Sequence, residues 1–317
     1  MKKFSAVLVL LCIVSALFRP SASAAGLWPF GKEKEPAFVP TVITGARLED
    51  MELALDVHAP GISTNSSDKA VIDFSNVNDG YVMTQYLQPS EKRLKAQVTG
   101  PETTYTYTIH PQEWTAFPLS EGDGEYKVSL FEEVGDSRYA LVLSAGFEAA
   151  VSDPFAPFLR PNQYVNYATA PNTVATAEVI TSDCADTLEK VKRIYDFVVG
   201  YMTYDKELAA TVQSGYLPDL DLDLQTGTGI CFDYASMMTG MLRSLGVPCK
   251  LVVGYAGEAY HAWISVWVDG TGWIDNVVYF DGTDWQRMDP TFASTADKKT
   301  AAKYIGDGSN YSPKFFY

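Results

Sequence analysis

Three residue types that together catalyse acyl transfer occur in the second half of the chain. Cys231 lies in the run GICFDYA (229–235), His261 in YHAW (260–263) and Asp289 in MDPT (288–291). This chemistry needs a thiolate, a base beside it and a third group that orients the base. The other two histidines, His58 and His110, lie far upstream in a strand-rich region. His261 is therefore the expected base for Cys231.

The pattern around Cys231 predicts that this residue begins a helix. Gly227 and Gly229 disfavour regular secondary structure just before it, and apolar residues then recur at helical spacing. Gly246 and Pro248 follow in the order that usually ends a helix. The amino-terminal end of a helix stabilises negative charge, which favours the nucleophilic thiolate. The backbone amide of Cys231 is then a candidate donor to the oxyanion of the intermediate.

The residues after this helix predict strands. Segments 250–255 and 261–268 have strand patterns, so that His261 begins a strand and shares one face with Trp263. Segments 273–280 and 285–288 predict an antiparallel pair. Asp289 would end the last strand, and alternating strand directions could bring it beside His261. Asp275 is an alternative candidate for the third role.

Several runs in this region resemble the transglutaminase-like superfamily of papain-type cysteine enzymes. They are GICFDYA (229–235), RSLGVP (243–248), GY (254–255), HAW (261–263), and Trp285 followed by DPT (289–291). The resemblance covers roughly 183–294 and implies an α+β fold, in which a helix carrying the cysteine packs on an antiparallel sheet. It implies that Cys231 is the nucleophile, that His261 is the base and then the acid, and that Asp289 orients His261. Gln225 imitates the oxyanion donor of papain, and Trp263 is a second candidate for substrate or oxyanion contact.

The first half of the chain has a different pattern. Short segments of alternating apolar residues, separated by glycine-rich turns, predict an antiparallel β-sandwich over 39–151. Its many tyrosines suit either core packing or a ligand-binding face. Prolines over 152–171 predict a linker, and 172–317 would form the catalytic domain, beginning with a helix capped by Asp186 and Glu189. The alternating acids at 219–225 are interpreted as a solvated loop, and we expect no metal site and no cofactor.

The first residues predict export. Lys2 and Lys3 precede an apolar run, and small residues up to Ala24 suit a cleavage site, so 1–24 has the features of a signal peptide and 25–38 those of a spacer. The apolar run is too short to span a membrane. A formal net charge of −15 argues against nucleic-acid or anionic-membrane partners and is compatible with cationic substrates.

These features predict a secreted or cell-surface cysteine enzyme that acts on protein or cell-wall peptides. Hydrolysis is favoured, with protein cross-linking or a non-catalytic wall- or polymer-binding role as alternatives. Beyond the signal peptide the cysteines are Cys184, Cys231 and Cys249. This odd number leaves at least one thiol without an intramolecular partner. The first and third could form a disulfide or be buried separately.

Overall fold

The computed structural model of the chain describes residues 41–51, 53, 55–275, 278–280, 285–287 and 311–317. The predicted signal peptide and spacer lie outside these residues, and so does Asp289. Within the described ranges, no helix is both long enough and apolar enough to cross a membrane. The fold is of the predicted α+β class, and most strand pairs are antiparallel.

The first half forms two four-stranded antiparallel sheets. Their strands are β1 (Thr64–Ser66), β2 (Ala70–Asp73), β3 (Tyr81–Tyr86), β4 (Leu94–Thr99), β5 (Thr104–Ile109), β6 (Trp114–Pro118), β7 (Gly124–Gly135) and β8 (Arg138–Ala149). One sheet has the order β1-β2-β3-β6 and the other the order β5-β4-β7-β8. Rings of the two sheets meet in the core, where the centroids of Tyr107 and Phe117 are 4.5 Å apart.

Tyrosines of the sandwich mostly pack in its core. Tyr81, Tyr86, Tyr105, Tyr107 and Tyr126 are all buried, which favours the packing interpretation over a ligand-binding aromatic face.

One alternating segment does not form a fully buried face. Tyr139, Leu141 and Leu143 alternate within β8, but Leu141 is 59% exposed. The pairing register of β7 and β8 shifts between Leu130 and Phe131. Such a shift exchanges the two faces of a strand beyond that point.

The second half places helices against a second antiparallel sheet. Its elements are α1 (Pro171–Ile180), α2 (Thr187–Tyr201), β9 (Thr203–Tyr204), α3 (Lys206–Thr211), α4 (Leu220–Thr226), β10 (Thr228–Gly229), α5 (Cys231–Ser244), β11 (Cys249–Ala256), β12 (Ala259–Val268), β13 (Gly272–Ile274), β14 (Val278–Phe280), β15 (Trp285–Arg287) and β16 (Tyr311–Phe316). The main sheet has the order β13-β12-β11-β16, and β14 pairs with β15. Helix α5 packs against β11 and β12 on one side and against α1, α2 and α4 on others. It is buried around its whole circumference, as a central core helix is.

Pro171, the last residue of the predicted linker at 152–171, begins α1, a position that suits proline because a helix leaves its first N–H groups without intrahelical partners. The structure corrects one prediction about helices. The acids at 219–225 predict a solvated loop, but they form α4, whose amino-terminal cap is Asp219. Asp221 accepts hydrogen bonds from the backbone N–H groups of Asn172 and Thr173, at the start of α1.

A cluster of aromatic rings joins the sandwich to the second half of the chain. Tyr107 of β5 lies 5.8 Å from Tyr317 and 5.7 Å from Tyr164 between ring centroids. The ring of Tyr164 in turn lies 5.3 Å from that of Phe232, the residue after Cys231. Continuous aromatic packing therefore runs from the sandwich core to the start of α5.

We expect Tyr107→Phe to raise the free energy of unfolding by about 1 kcal/mol, because the buried Tyr107 hydroxyl has no hydrogen-bond partner among the described residues. Tyr107→Ala should lower it by roughly 3–5 kcal/mol through the cavity it leaves. Urea unfolding measures both values.

Tyr167→Phe is the matched control, because the buried Tyr167 hydroxyl donates to the Leu159 carbonyl at 2.6 Å. This control should lose about 1 kcal/mol. A similar loss in Tyr107→Phe would contradict the prediction.

Candidate active site

The backbone before Cys231 is fixed by pairing with β9. Gly227 adopts the left-handed conformation, with φ of 63°. The Thr203 N–H donates to the Gly227 carbonyl at 2.8 Å, and the Asp205 N–H donates to the Gly229 carbonyl at 2.9 Å. The chain then passes through extended Ile230 and enters α5 at Cys231, as the sequence predicts.

A buried carboxylate holds the first turn of α5. Asp233 has no exposed surface, and its Oδ2 accepts the Ile230 N–H at 2.7 Å. Its Oδ1 accepts the Tyr216 O–H at 2.9 Å. Burial raises the pKa of Asp233 to about 6, although the hydrogen bonds from Ile230 and Tyr216 oppose the rise. A Cβ atom at Gly229 would lie 2.6 Å from the Asp233 Cβ, so this close packing requires glycine.

His261 lies near the start of β12, opposite Gly254 of β11. The imidazole is mostly buried, and its centroid lies 6.3 Å from the Trp263 ring at an interplanar angle of 25°. Trp263 is only 1% exposed and contacts Tyr311 edge-on at 5.1 Å. Trp263 is thus a packing partner of the His261 ring, and it is absent from the lining of the cleft described next.

Cys231 and His261 line one cleft of about 600 Å³. The Cys231 side chain is partly exposed. The segment 212–217 lines one part of the cleft. Aromatic rings form much of the remaining wall, together with that of Tyr216, and they belong to Tyr107, Tyr164, Tyr204, Phe232, Tyr260 and Tyr317. The cleft therefore combines a thiol at a helix start, an imidazole on a strand and an apolar surface for a substrate.

The other predicted site residues do not join this cleft in the described part of the chain. Gln225 is exposed on α4 and is not among the residues that line the cleft. Asp275 accepts the Ser265 O–H at 2.9 Å. Ser265 is four residues beyond His261 on β12, or about 13 Å along the strand. This position disfavours Asp275 as the group that orients His261. Asp289, the preferred candidate, lies outside the described residues.

The three cysteines of the described region are free thiols with different surroundings. Cys249 is fully buried beside Thr239, and burial raises the pKa of its thiol to about 12. Burial also raises the pKa of Cys184, outside the cleft. Cys184 and Cys249 do not form the disulfide that the sequence allows. The described residues contain no group of three or more His, Cys, Asp or Glu side chains arranged to hold a metal ion.

Two residues of the site were missed by the sequence predictions. Asp233 is the third residue of α5, the position at which an acidic side chain reaches back to the cap amide, so its place in the run GICFDYA is a usable signal. Tyr216 belongs to a loop and meets Asp233 only in the folded chain. No local pattern in the sequence indicates that contact.

Comparisons with known proteins bear on the second half of the chain. Residues 174–290 match the family model of the Transglutaminase-like superfamily. Over 125 residues the chain is 27% identical to the uncharacterized protein YebA of Bacillus subtilis (strain 168), and the match covers 33% of this chain and 17% of YebA. A candidate cysteine protease of Cytophaga hutchinsonii is 12% identical, with a TM-score of 0.35 and coverage of 81% of each chain. Red sea bream transglutaminase is 14% identical, with a TM-score of 0.27 and coverage of 68% of this chain and 48% of its own. The family match confirms the resemblance: residues 174–290 are a transglutaminase-like domain.

A second buried carboxyl, Asp223 on α4, lies close enough to Asp233 for the two charges to interact. Burial, followed by repulsion from Asp233 and Asp219, raises the pKa of Asp223 to about 8. The folded chain thus keeps this proton up to about pH 8, whereas the unfolded carboxyl loses it near pH ~4. Since the folded state binds more protons between these values, the free energy of unfolding falls as the pH rises through them.

We expect Asp223→Asn to raise the melting temperature at pH 8 by a few degrees and to change it little at pH 5, because the neutral amide replaces a carboxyl that is costly to ionise. Thermal unfolding at both pH values measures this. Glu178→Gln removes the same charge from an exposed position and should change neither temperature. An equal gain at both pH values would mean that ionisation of Asp223 is not the cause.

Proposed function

We propose that the transglutaminase-like domain at 174–290 is a cysteine-dependent acyl-transfer catalyst that hydrolyses peptide or amide bonds. The observation that carries this proposal is that Cys231 and His261 line the same cleft, with the sulfur at the start of α5. His261 would be the general base, and Asp289 would orient its ring.

The surroundings of the other thiols also support Cys231 as the nucleophile. A buried thiol with a raised pKa is a poor nucleophile near neutral pH, as is expected for Cys249. Cys231 is partly exposed and begins a fourteen-residue helix, and the amino-terminal end of a helix stabilises an anion.

The reaction would proceed in two stages. His261 removes the proton from the Cys231 thiol, and the sulfur attacks the carbonyl carbon of the substrate. The C–N bond then breaks, the leaving amine takes the proton from His261, and a thioester remains on Cys231. Water next attacks the thioester after giving a proton to His261, which returns that proton to the departing sulfur. The products are an amine and a carboxylic acid.

The first turn of α5 would stabilise the oxyanion in both stages. The first N–H groups of a helix have no acceptor within the helix, so the Cys231 amide can donate to the negatively charged oxygen. Asp233 would hold this turn in place through its bond from the Ile230 N–H. Gln225 has no part in this proposal, because it is exposed on α4 outside the cleft lining.

The substrate class follows from the predicted location. Removal of residues 1–24 as a signal peptide would deliver the protein outside the cytoplasm, where cell-wall peptides and extracellular proteins are available. We propose these as substrates.

Mass spectrometry of peptide pools incubated with the protein tests the reaction. Hydrolysis should add about 18 Da in total to the products of each cut peptide, whereas cross-linking through a primary amide would release ammonia, a loss of about 17 Da. The pools should include wall-derived peptides. A cross-linking result would retain Cys231 chemistry but replace water by an amine.

We expect Cys231→Ala to abolish turnover and His261→Ala to reduce kcat by roughly 10²–10⁴-fold, since one loses the nucleophile and the other the general base. Cys184→Ala is the matched control, because that thiol lies outside the cleft, and its turnover should equal that of the wild type. Turnover that survives in Cys231→Ala would refute the proposal.

A further inference from the structure

The cleft is not formed by the transglutaminase-like domain alone. Lys95 of β4 and Thr106 and Thr108 of β5 line it together with Cys231 and His261. These three belong to the sandwich, and Lys95 pairs directly with Thr108 across the two strands. The sandwich therefore supplies one wall of the candidate active site.

Close packing holds this wall against the catalytic side. Gly215, in the segment 212–217 that lines the cleft, has φ of 93°, and a Cβ atom there would lie 3.2 Å from the Thr108 Oγ1. The neighbouring Tyr216 is tied to Asp233 in the first turn of α5. The sandwich wall and the start of α5 thus contact the same short loop.

The charge of the cleft differs from that of the whole chain. The chain has 39 acidic and 24 basic side chains, yet the described residues that line the cleft include Lys95 and no aspartate or glutamate. Lys95 Nζ lies 4.2 Å from the centroid of the Tyr139 ring, a cation–π contact that leaves its hydrogen-bond donors available. No carboxylate of the described region lies within ion-pair distance of Lys95.

We propose that Lys95, with the hydroxyls of Thr106 and Thr108, binds a carboxylate of the acyl-donor peptide and so makes the sandwich a determinant of specificity. An ammonium donates charge-assisted hydrogen bonds to such a group, and the hydroxyls of Thr106 and Thr108 on the neighbouring strand can donate to it as well. The proposal rests on the proposed function, since it treats Cys231 as the reacting atom. The net charge of the chain suggests cationic substrates, whereas this proposal predicts that the cleft binds an anionic group.

Three alkylating reagents test this inference at Cys231. They are the N-iodoacetyl derivatives of glutamine amide, which is neutral, of glutamate amide, which has a side-chain carboxylate, and of free glutamine, which has a terminal carboxylate. The rate of Cys231 alkylation is followed by peptide mass spectrometry, which separates it from Cys184 and Cys249. The measured quantity is the rate of each anionic reagent divided by that of the neutral one.

We expect Lys95→Gln to lower this ratio roughly threefold or more for at least one anionic reagent, because a unit charge across the cleft attracts the carboxylate. Lys95→Arg should keep the wild-type ratio. Lys127→Gln is the matched control, because it removes the same net charge from an exposed position on β7 outside the cleft. The reagent that loses its advantage identifies whether the side-chain or the terminal carboxylate is bound.

Equal ratios in Lys95→Gln and the wild type would overturn the inference, as would an equal fall in Lys127→Gln. This outcome is separate from failure of the proposed function. An accessible thiol is alkylated whether or not it is catalytic, so the ratio can be measured in either case. The neutral reagent alone tests the chemistry of Cys231: if His261→Ala leaves its rate unchanged, the proposed function fails while the ratio still decides the role of Lys95.

Discussion

The candidate site depends on one buried carboxylate. Asp233 accepts the N–H that precedes Cys231 and the hydroxyl of Tyr216, so that a single side chain fixes both the start of α5 and the loop that lines the cleft. Placing a carboxylate where no water reaches it is costly, and its raised pKa reflects that cost. Two hydrogen bonds offset part of it. The glycine at 229 belongs to the same constraint, because any Cβ atom there would collide with Asp233.

The aromatic cluster gives the sandwich a structural role in the site. Tyr107 and Tyr105 pack against Tyr317, whose backbone pairs with Leu251 in both directions, at 2.8 and 2.9 Å. The buried Arg243 near the end of α5 donates to Tyr317 O and to the Cys249 carbonyl. Movement of the sandwich would therefore disturb both ends of α5 as well as one wall of the cleft. The two halves of the chain are better understood as one structural unit than as two independent domains.

Sequence patterns predicted the elements that carry Cys231 and His261, because apolar periodicity, glycine breaks and strand alternation are local signals. They failed where the outcome depended on distant partners. The acids at 219–223 alternate as they would in a loop, but they form α4. Asp219 caps this helix through a local bond from the Leu222 N–H, whereas Asp221 bonds to the start of α1, a contact that requires the fold. The contribution of Lys95 to the cleft was equally invisible, since more than a hundred residues separate it from Cys231. Trp263 shares a face with His261 as predicted, but Trp263 is buried and packs against the His261 ring instead of lining the cleft.

Net charge and local charge lead to opposite expectations about the substrate. A formal charge of −15 attracts cations over distances of about a Debye length, roughly 8–10 Å at moderate salt. Inside a partly enclosed cleft, the nearest charged groups dominate because screening is weaker there. Among the described residues that line this cleft, the one fixed charge is the ammonium of Lys95, which lies over Tyr139. The Asp233 carboxyl lies behind the lining, where it accepts the Tyr216 hydroxyl. An overall acidic protein can therefore bind a carboxylate in one cleft, because selection depends on the groups that contact the ligand and not on their sum over the surface.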